Sequence, residues 1–537
     1  MTIRERCPAT AVQFAGAQRI AILCCLVSLL FLGSARTASG TIRYQVSLSQ
    51  PDSHLFHVRI EIPDVAPGAT IAMPAWNTLY QIRDFAYRVR DVEVASVPPG
   101  QSTPEHFEIA RMLDKQDWSL AIDSDDAGAA AAQLEEVVTY SIFWDEPGPF
   151  SSQLNDHHAF INLAEILMYL PKRRAEKAEV DFTDVPSGWR IIAELPSGDQ
   201  PDSFTAPSYD ALVDAPVEAG TFNEFEFNND GAHFRVVVDA KNWDKTLLSD
   251  ALHRIIGYEL KLMGGPPFSE YTFIFHIGEY SDVGGGGMEH MNSTAIADDS
   301  TSNVAAIAAH EFFHVWNVKR IRPQSLQPVD YSKEQYTRAL WFAEGVTNTY
   351  CSYTLERTHL WTKKQFYADL ATQIAQLQSR SARRWQSAEE SSLNAWFEKY
   401  DDYNLPDRSI SYYNKGQILG VMLDLAIRDA TDNHKSLDDV MRRMNDEYAK
   451  RGLYYNGSDG IRRAVEEVSG KSFADFFRRY VSGTDEIPYN QFLSIAGLQI
   501  KLTPASDGTM NAEIGEIPHP SERQRIIREG ILRGVTQ

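Results

Sequence analysis

His310-Glu311-Phe312-Phe313-His314 sits inside an apolar run in which Val304, Ile307, Ala308, Phe312 and Val315 recur at three- and four-residue spacing. That period predicts a helix over Ser302–Val318, capped by Ser302 and kept from continuing by Pro323. On such a helix His310 and His314 lie one turn apart on one face, so both imidazoles reach a single cation. Glu311, between them, serves a water on that cation rather than the cation itself. A tetrahedral ion such as zinc then needs one more protein ligand and one open position.

Working outward, Trp341-Phe342-Ala343-Glu344-Gly345 offers the third ligand. Glu344 stands in an otherwise apolar helix start, where a carboxylate is costly unless a cation compensates it. Upstream, Gly284–Gly287 leads into Met288-Glu289-His290 just after an aromatic strand predicted over Tyr271–Tyr280. Glycines let a backbone come close to a ligand, and an exposed strand edge pairs with an extended peptide. Gly286, Gly287 and Met288 are therefore candidates for substrate binding, with Glu289 placed to hold a substrate ammonium. Downstream, Ser411-Tyr412-Tyr413-Asn414-Lys415-Gly416 supplies a tyrosine hydroxyl at a helix start, a candidate donor to an oxyanion.

Taken in order, the segments around Glu289, His310–Pro323, Trp341–Gly345 and Tyr413–Gly416 resemble the M61 family of metallopeptidases, the glycyl aminopeptidase group of the gluzincin clan. Met73–Trp76 and Phe476–Thr484 are similar to that family too, and the likeness runs from about Thr41 to Gly497. The resemblance implies a thermolysin-like, mostly α-helical peptidase domain behind a β-rich one. It also implies one Zn²⁺ per chain on His310, His314 and Glu344, with Glu311 as general base. Glu289 would read the free N-terminus, Tyr413 would steady the oxyanion, and small N-terminal residues such as Gly or Ala would be preferred. The M61 pattern usually continues into a C-terminal PDZ domain, for which Leu498–Gln537 is too short.

The whole chain is consistent with this reading. Its 537 residues carry a net charge of −22 with 43% hydrophobic residues. That is enough apolar material for large cores, and the wrong sign for gripping nucleic acid or anionic lipid. Arg4, Arg6 and Arg19 precede the uncharged run Ile20–Leu32 and then a small-residue stretch, the order of a secretory signal peptide. The run is short for a membrane span, so an uncleaved anchor is the weaker reading. Cleavage would remove residues 1–39, with four Arg and one Glu, leaving −25 and only Cys351 of the four cysteines. An exported, periplasmic or secreted chain without an internal disulfide must rely on packing or metal.

The expected architecture is α+β and multidomain. Residues 40–240 alternate with period two, as in Ile42–Val46 and Phe234–Val238, and predict a β-sandwich-like domain. Residues 241–497 form the peptidase domain, a small sheet followed by helices over Lys333–Thr358, Ser409–Ala430, Ser436–Lys450, Asp459–Val468 and Ser472–Val481. Residues 498–537 are a tail with a short amphipathic helix from Ser521. The expected function is an exported zinc aminopeptidase acting on peptides with a free N-terminus through a zinc-activated water. The alternatives are a zinc endopeptidase on the same scaffold and a non-catalytic binder with a structural metal. The sequence leaves the oligomeric state open.

Overall fold

The computed structural model describes residues 40–98, 101, 103–120, 134–278 and 285–534; the expected signal segment and Gly284 lie outside the described residues. The period-two reading of the first third holds in detail. Along Ile42–Ser47 the side chains of Ile42, Tyr44 and Val46 are buried while Arg43 is exposed, and Leu55–Val65 buries Phe56, Val58, Ile60 and Ile62. These strands belong to a seven-stranded sheet, and a four-stranded sheet carries Arg190–Ala193, Val217–Gly220, His158–Ile161 and Gln153–Leu154. The inner faces of both sheets share one apolar cluster, as a sandwich requires.

The domain boundary departs from the sequence reading. Asn223–Asn229 and Ala232–Asp239, expected in the N-terminal domain, form one side of a five-stranded sheet with Glu270–Ile277, Ser293–Asp298 and Gly286–Glu289. Alternation reports a half-buried strand but not which sheet it joins, and Phe234, Val236 and Val238 point into the helical domain's core. The strand placed at Tyr271–Tyr280 spans Glu270–Ile277. Its Tyr271, Phe273 and Phe275 face the helices, whereas Ile274 packs with Phe160, Ile192 and Phe222 of the N-terminal domain. Gly286–Glu289 runs antiparallel to Ser293–Asp298 at the sheet's margin, so one of its sides stays unpaired.

Helix positions agree better than helix ends. The motif helix spans Val304–Phe313, begins after Asn303 rather than at Ser302, and closes into turns long before Pro323. Val315, Trp316 and Val318 extended the apolar pattern because they are buried, though in turns. The helix expected from Lys333 begins at Trp341 as a π-helical turn, Trp341–Val346, followed by Thr347–Arg357. Tyr412–Ala430 starts from a Ser411 cap, and Leu437–Glu447 and Gly457–Ser469 lie within a few residues of expectation. Two long helices were missed, Lys245–Met263 and Lys363–Gln378.

The tail is not separate. Leu498–Pro504 and Met510–Glu516 form a hairpin, and the helix Glu522–Arg533 buries Ile527, Ile531 and Leu532 in the core of the helical domain. Among the described residues no helix is long and apolar enough to cross a membrane.

Candidate metal centre

The motif helix packs under the five-stranded sheet and delivers both imidazoles to one point. Nε2 of His310 and Nε2 of His314 stand 2.9 Å apart, and Glu344 Oε2 lies 3.5 Å from the first and 3.3 Å from the second. Bonds of ~2.0–2.1 Å in a tetrahedral array put ligands about 3.3 Å from one another, so the three donor atoms have the spacing of one face of a zinc site. Their chemistry, two imidazole nitrogens and a carboxylate oxygen, fits zinc as well.

The surrounding bonds orient these ligands. His314 donates Nδ1–H to the Asn317 carbonyl at 2.6 Å, which leaves the Nε2 lone pair facing the site. Asn317 in turn donates from Nδ2 to the Phe342 carbonyl at 2.8 Å and to Thr347 Oγ1 at 3.1 Å. One asparagine thus ties the turn after the histidines to the π-helical turn that carries Glu344. A π-turn is wide, and here it lies against Tyr412–Ala430 with glycine facing glycine: a Cβ on Gly345 would stand 2.4 Å from Gly416 Cα. Burial alone would raise the Glu344 pKa, but His314 and the hydrogen bonds from both imidazoles hold it well below the usual carboxylate range.

Glu311 lies beside the His310, His314 and Glu344 cluster and groups with Glu289 and His314. Burial pushes its pKa well up, with Glu289 and Glu344 adding to the rise against His314, and its Oε2 has no hydrogen-bond partner. That carboxylate lies beside the cluster of His310, His314 and Glu344. Glu289, at the end of the edge strand, brings an oxygen within 4.8 Å of ligand atoms of Glu311 and His314. Gly287 gives Glu311 its room, and Gly286 lies under the Phe150 ring of the N-terminal domain; Met288 is buried. The Tyr413 ring centre lies 6.3 Å from that of His310. Burial first, then the charge of Glu344, raises the Tyr413 pKa well above its ordinary value, so the hydroxyl keeps the proton an oxyanion donor needs.

His310, His314, Glu344, Glu311, Glu289, Gly287 and Tyr413 are therefore brought together, and Gly286 and Met288 lie on the strand that carries Gly287 and Glu289. The sequence reading missed Asn317, whose role depends on a backbone carbonyl that no residue pattern reveals. It also missed Tyr80, which the N-terminal domain sends into the helical domain's core beside Trp76. Burial, then the charges of Glu344 and Glu289, lift the Tyr80 hydroxyl pKa well above its ordinary value. The nearby Met73–Trp76 motif was its only signal.

Solved structures share this fold. One is an aminopeptidase N family protein from Idiomarina loihiensis, with TM-score 0.78 and 24% identity, covering 86% of this chain and 80% of that one. Another is Legionella pneumophila aminopeptidase A in complex with aspartic acid, with TM-score 0.50 and 13% identity; the match covers 89% of this chain but 52% of that one. No curated protein matches significantly. Two family models do match, the Peptidase M61 N-terminal domain over residues 43–221 and the M61 glycyl aminopeptidase over residues 303–419. With one model on each domain, and the two together spanning more than half of its length, the chain belongs to the M61 glycyl aminopeptidase family.

Proposed function

We propose that the protein is an exported zinc aminopeptidase that releases small N-terminal residues, Gly or Ala, from peptides. The observation that carries the proposal is the convergence of His310, His314 and Glu344 at tetrahedral spacing, with Glu311 and Glu289 beside them. Zinc held by those three would supply a Lewis acid and lower the pKa of a water. The remaining work falls to side chains. An extended substrate pairs with the open side of Gly286–Glu289, and Glu289 takes its ammonium. Glu311 accepts the proton of the attacking water and passes it to the leaving amine, while Tyr413 donates to the developing oxyanion. Export is supported by the basic–apolar–small order of residues 1–39, after which only Cys351 remains, buried and unpaired.

The test is a panel of Gly, Ala, Leu and Arg p-nitroanilides, free and N-acetylated, with wild type and Glu311→Gln. Turnover confined to free Gly and Ala substrates, and lost by several orders of magnitude in a Glu311→Gln variant that keeps its metal, is the expected result. Turnover of acetylated peptides at equal rates would instead establish an endopeptidase. Near-native turnover by Glu311→Gln would remove the general base from the mechanism.

A further inference from the structure

A second cluster of ligand-type side chains lies away from the catalytic centre, where the N-terminal domain meets the five-stranded sheet. Strands His158–Ile161 and Val217–Gly220 bring His158 and Glu218 from one side; Ala232–Asp239 and Glu270–Ile277 bring Asp239 and His276 from the other. Glu218 is fully buried, His158 and His276 are each 2% exposed, and an apolar layer of Phe160, Ile192, Phe222, Val237, Ile274 and Ala295 seals the same interface.

The donor atoms converge. His158 Nδ1 is 2.9 Å from Glu218 Oε1 and 3.4 Å from Asp239 Oδ2, and His276 Nε2 is 2.9 Å from Glu218 Oε2. Ligand atoms of His158, Glu218 and His276 all lie within 4.8 Å of one another.

The hydrogen bonds around His158 decide what fills the space. Gln153 donates from Nε2 to Asp145 Oδ1 at 3.0 Å, which fixes its amide so that Oε1 faces His158 Nε2 at 3.2 Å. His158 therefore donates Nε2–H to Gln153, and in a neutral ring Nδ1 presents its lone pair to two carboxylates. Lone pair against carboxylate is repulsive unless a positive charge stands between them. A single added proton on Nδ1 is donated to Glu218 and leaves Asp239 Oδ2, 3.4 Å away in ion-pair range, without a hydrogen bond. A divalent cation between His158, Glu218 and His276 instead serves both imidazoles and the Glu218 carboxylate at once, and with Asp239 close by it balances two negative charges with neutral histidines. The donation of the other ring N–H to a fixed acceptor is also how metal-ligating histidines are held.

We infer that His158, Glu218 and His276, with Asp239 beside them, form a second divalent-cation site, of zinc-binding chemistry, that clamps the N-terminal domain to the peptidase domain. His158, Glu218 and His276 are almost fully buried, so its role is structural.

The test is elemental analysis of the full chain after loading with zinc and gel filtration. Wild type is expected to carry two ions, and His310→Ala/His314→Ala, which leaves the clamp intact, one. That double variant should also gain thermal stability on zinc addition and lose it to a chelator. Glu218→Gln and His276→Gln should each drop wild type from two ions to one while keeping peptidase metal. One ion in wild type together with none in the double variant would overturn the site and leave a protonated hydrogen-bond network in its place. Because the double variant touches only the catalytic ligands, that outcome would say nothing against the catalytic reading.

Discussion

Gly287 lies so close to Glu311 that a Cβ at position 287 would stand 2.4 Å from Glu311 Cγ. The edge strand and the proposed general base are fitted to one another, and only a residue without a side chain permits the fit. Gly287→Ala is expected to push the Glu311 carboxylate off its water, lowering kcat by roughly 100-fold, the scale of a 1 Å misplacement at a reacting centre. Metal content should not change, because the proposed ligands are His310, His314 and Glu344. Steady-state kinetics beside elemental analysis checks this; full activity would mean that Glu311 moves freely at no cost.

Gly416 makes the corresponding contact on the ligand side. A Cβ there would meet the Trp341 carbonyl at 2.1 Å and Gly345 Cα at 2.8 Å, both backbone and unable to yield by rotamer change. Gly416→Ala should therefore separate the helix Tyr412–Ala430 from the π-turn, costing about 1–3 kcal/mol as overpacking does and loosening Glu344 from the metal. Gly420→Ala, one turn on, meets the Thr349 side chain instead and should lower Tm without loss of metal. Equal metal retention by the two variants would break the proposed link between glycine packing and the third ligand.

How far the sequence could be read follows from what each pattern encodes. His310 and His314 were legible because helix pitch alone places them together. Glu344 was legible as an acid in an apolar setting, though its π-turn was not, since that turn arises from Gly345 meeting Gly416 across 71 residues of chain. Alternation found the strand at Phe234 but assigned it to the wrong domain, because period two says nothing about the partner strand. Lys245–Met263 and Lys363–Gln378 escaped notice although both carry side-chain N-caps, at Asp244 and Thr362. The clamp around Glu218 was invisible because its residues come from four strands in two domains.

Asn317 gives a test of the support behind the ligands. Its Nδ2 bonds to the Phe342 carbonyl and Thr347 Oγ1 hold the Glu344 turn against the turn of His314. Asn317→Ala leaves the His314 Nδ1 bond to the 317 carbonyl possible but frees the other element. Metal affinity should fall about 10–100-fold, the usual cost of removing an outer-shell partner. Stability should fall by about 1–3 kcal/mol for the buried carbonyl left unpaired. Chelator competition and thermal denaturation measure the two separately. Unaltered affinity with lowered Tm would show that Asn317 supports the fold and not the metal.

Glu289 separates an aminopeptidase from an endopeptidase. It ends the edge strand Gly286–Glu289, which is paired on one side only among the described residues, and its carboxylate lies near Glu311 and His314. A peptide added to that strand brings its first residue there, and its ammonium must be paired once it leaves water. Glu289→Ala should cost free-amine substrates about 2–5 kcal/mol of transition-state binding, the penalty for truncating one partner of a buried charge pair. Cleavage of N-acetylated peptides should hardly change or should improve, because the acetyl group no longer meets an unpaired carboxylate. Metal content should stay as in wild type, since His310, His314 and Glu344 suffice to hold the ion. The measurement is kcat/KM for matched free and acetylated substrates in both proteins. Equal losses on the two would mean that Glu289 acts through Glu311 and the metal site, and recognition of the N-terminus would have to be sought elsewhere, with the buried Tyr80 hydroxyl as the next residue to change.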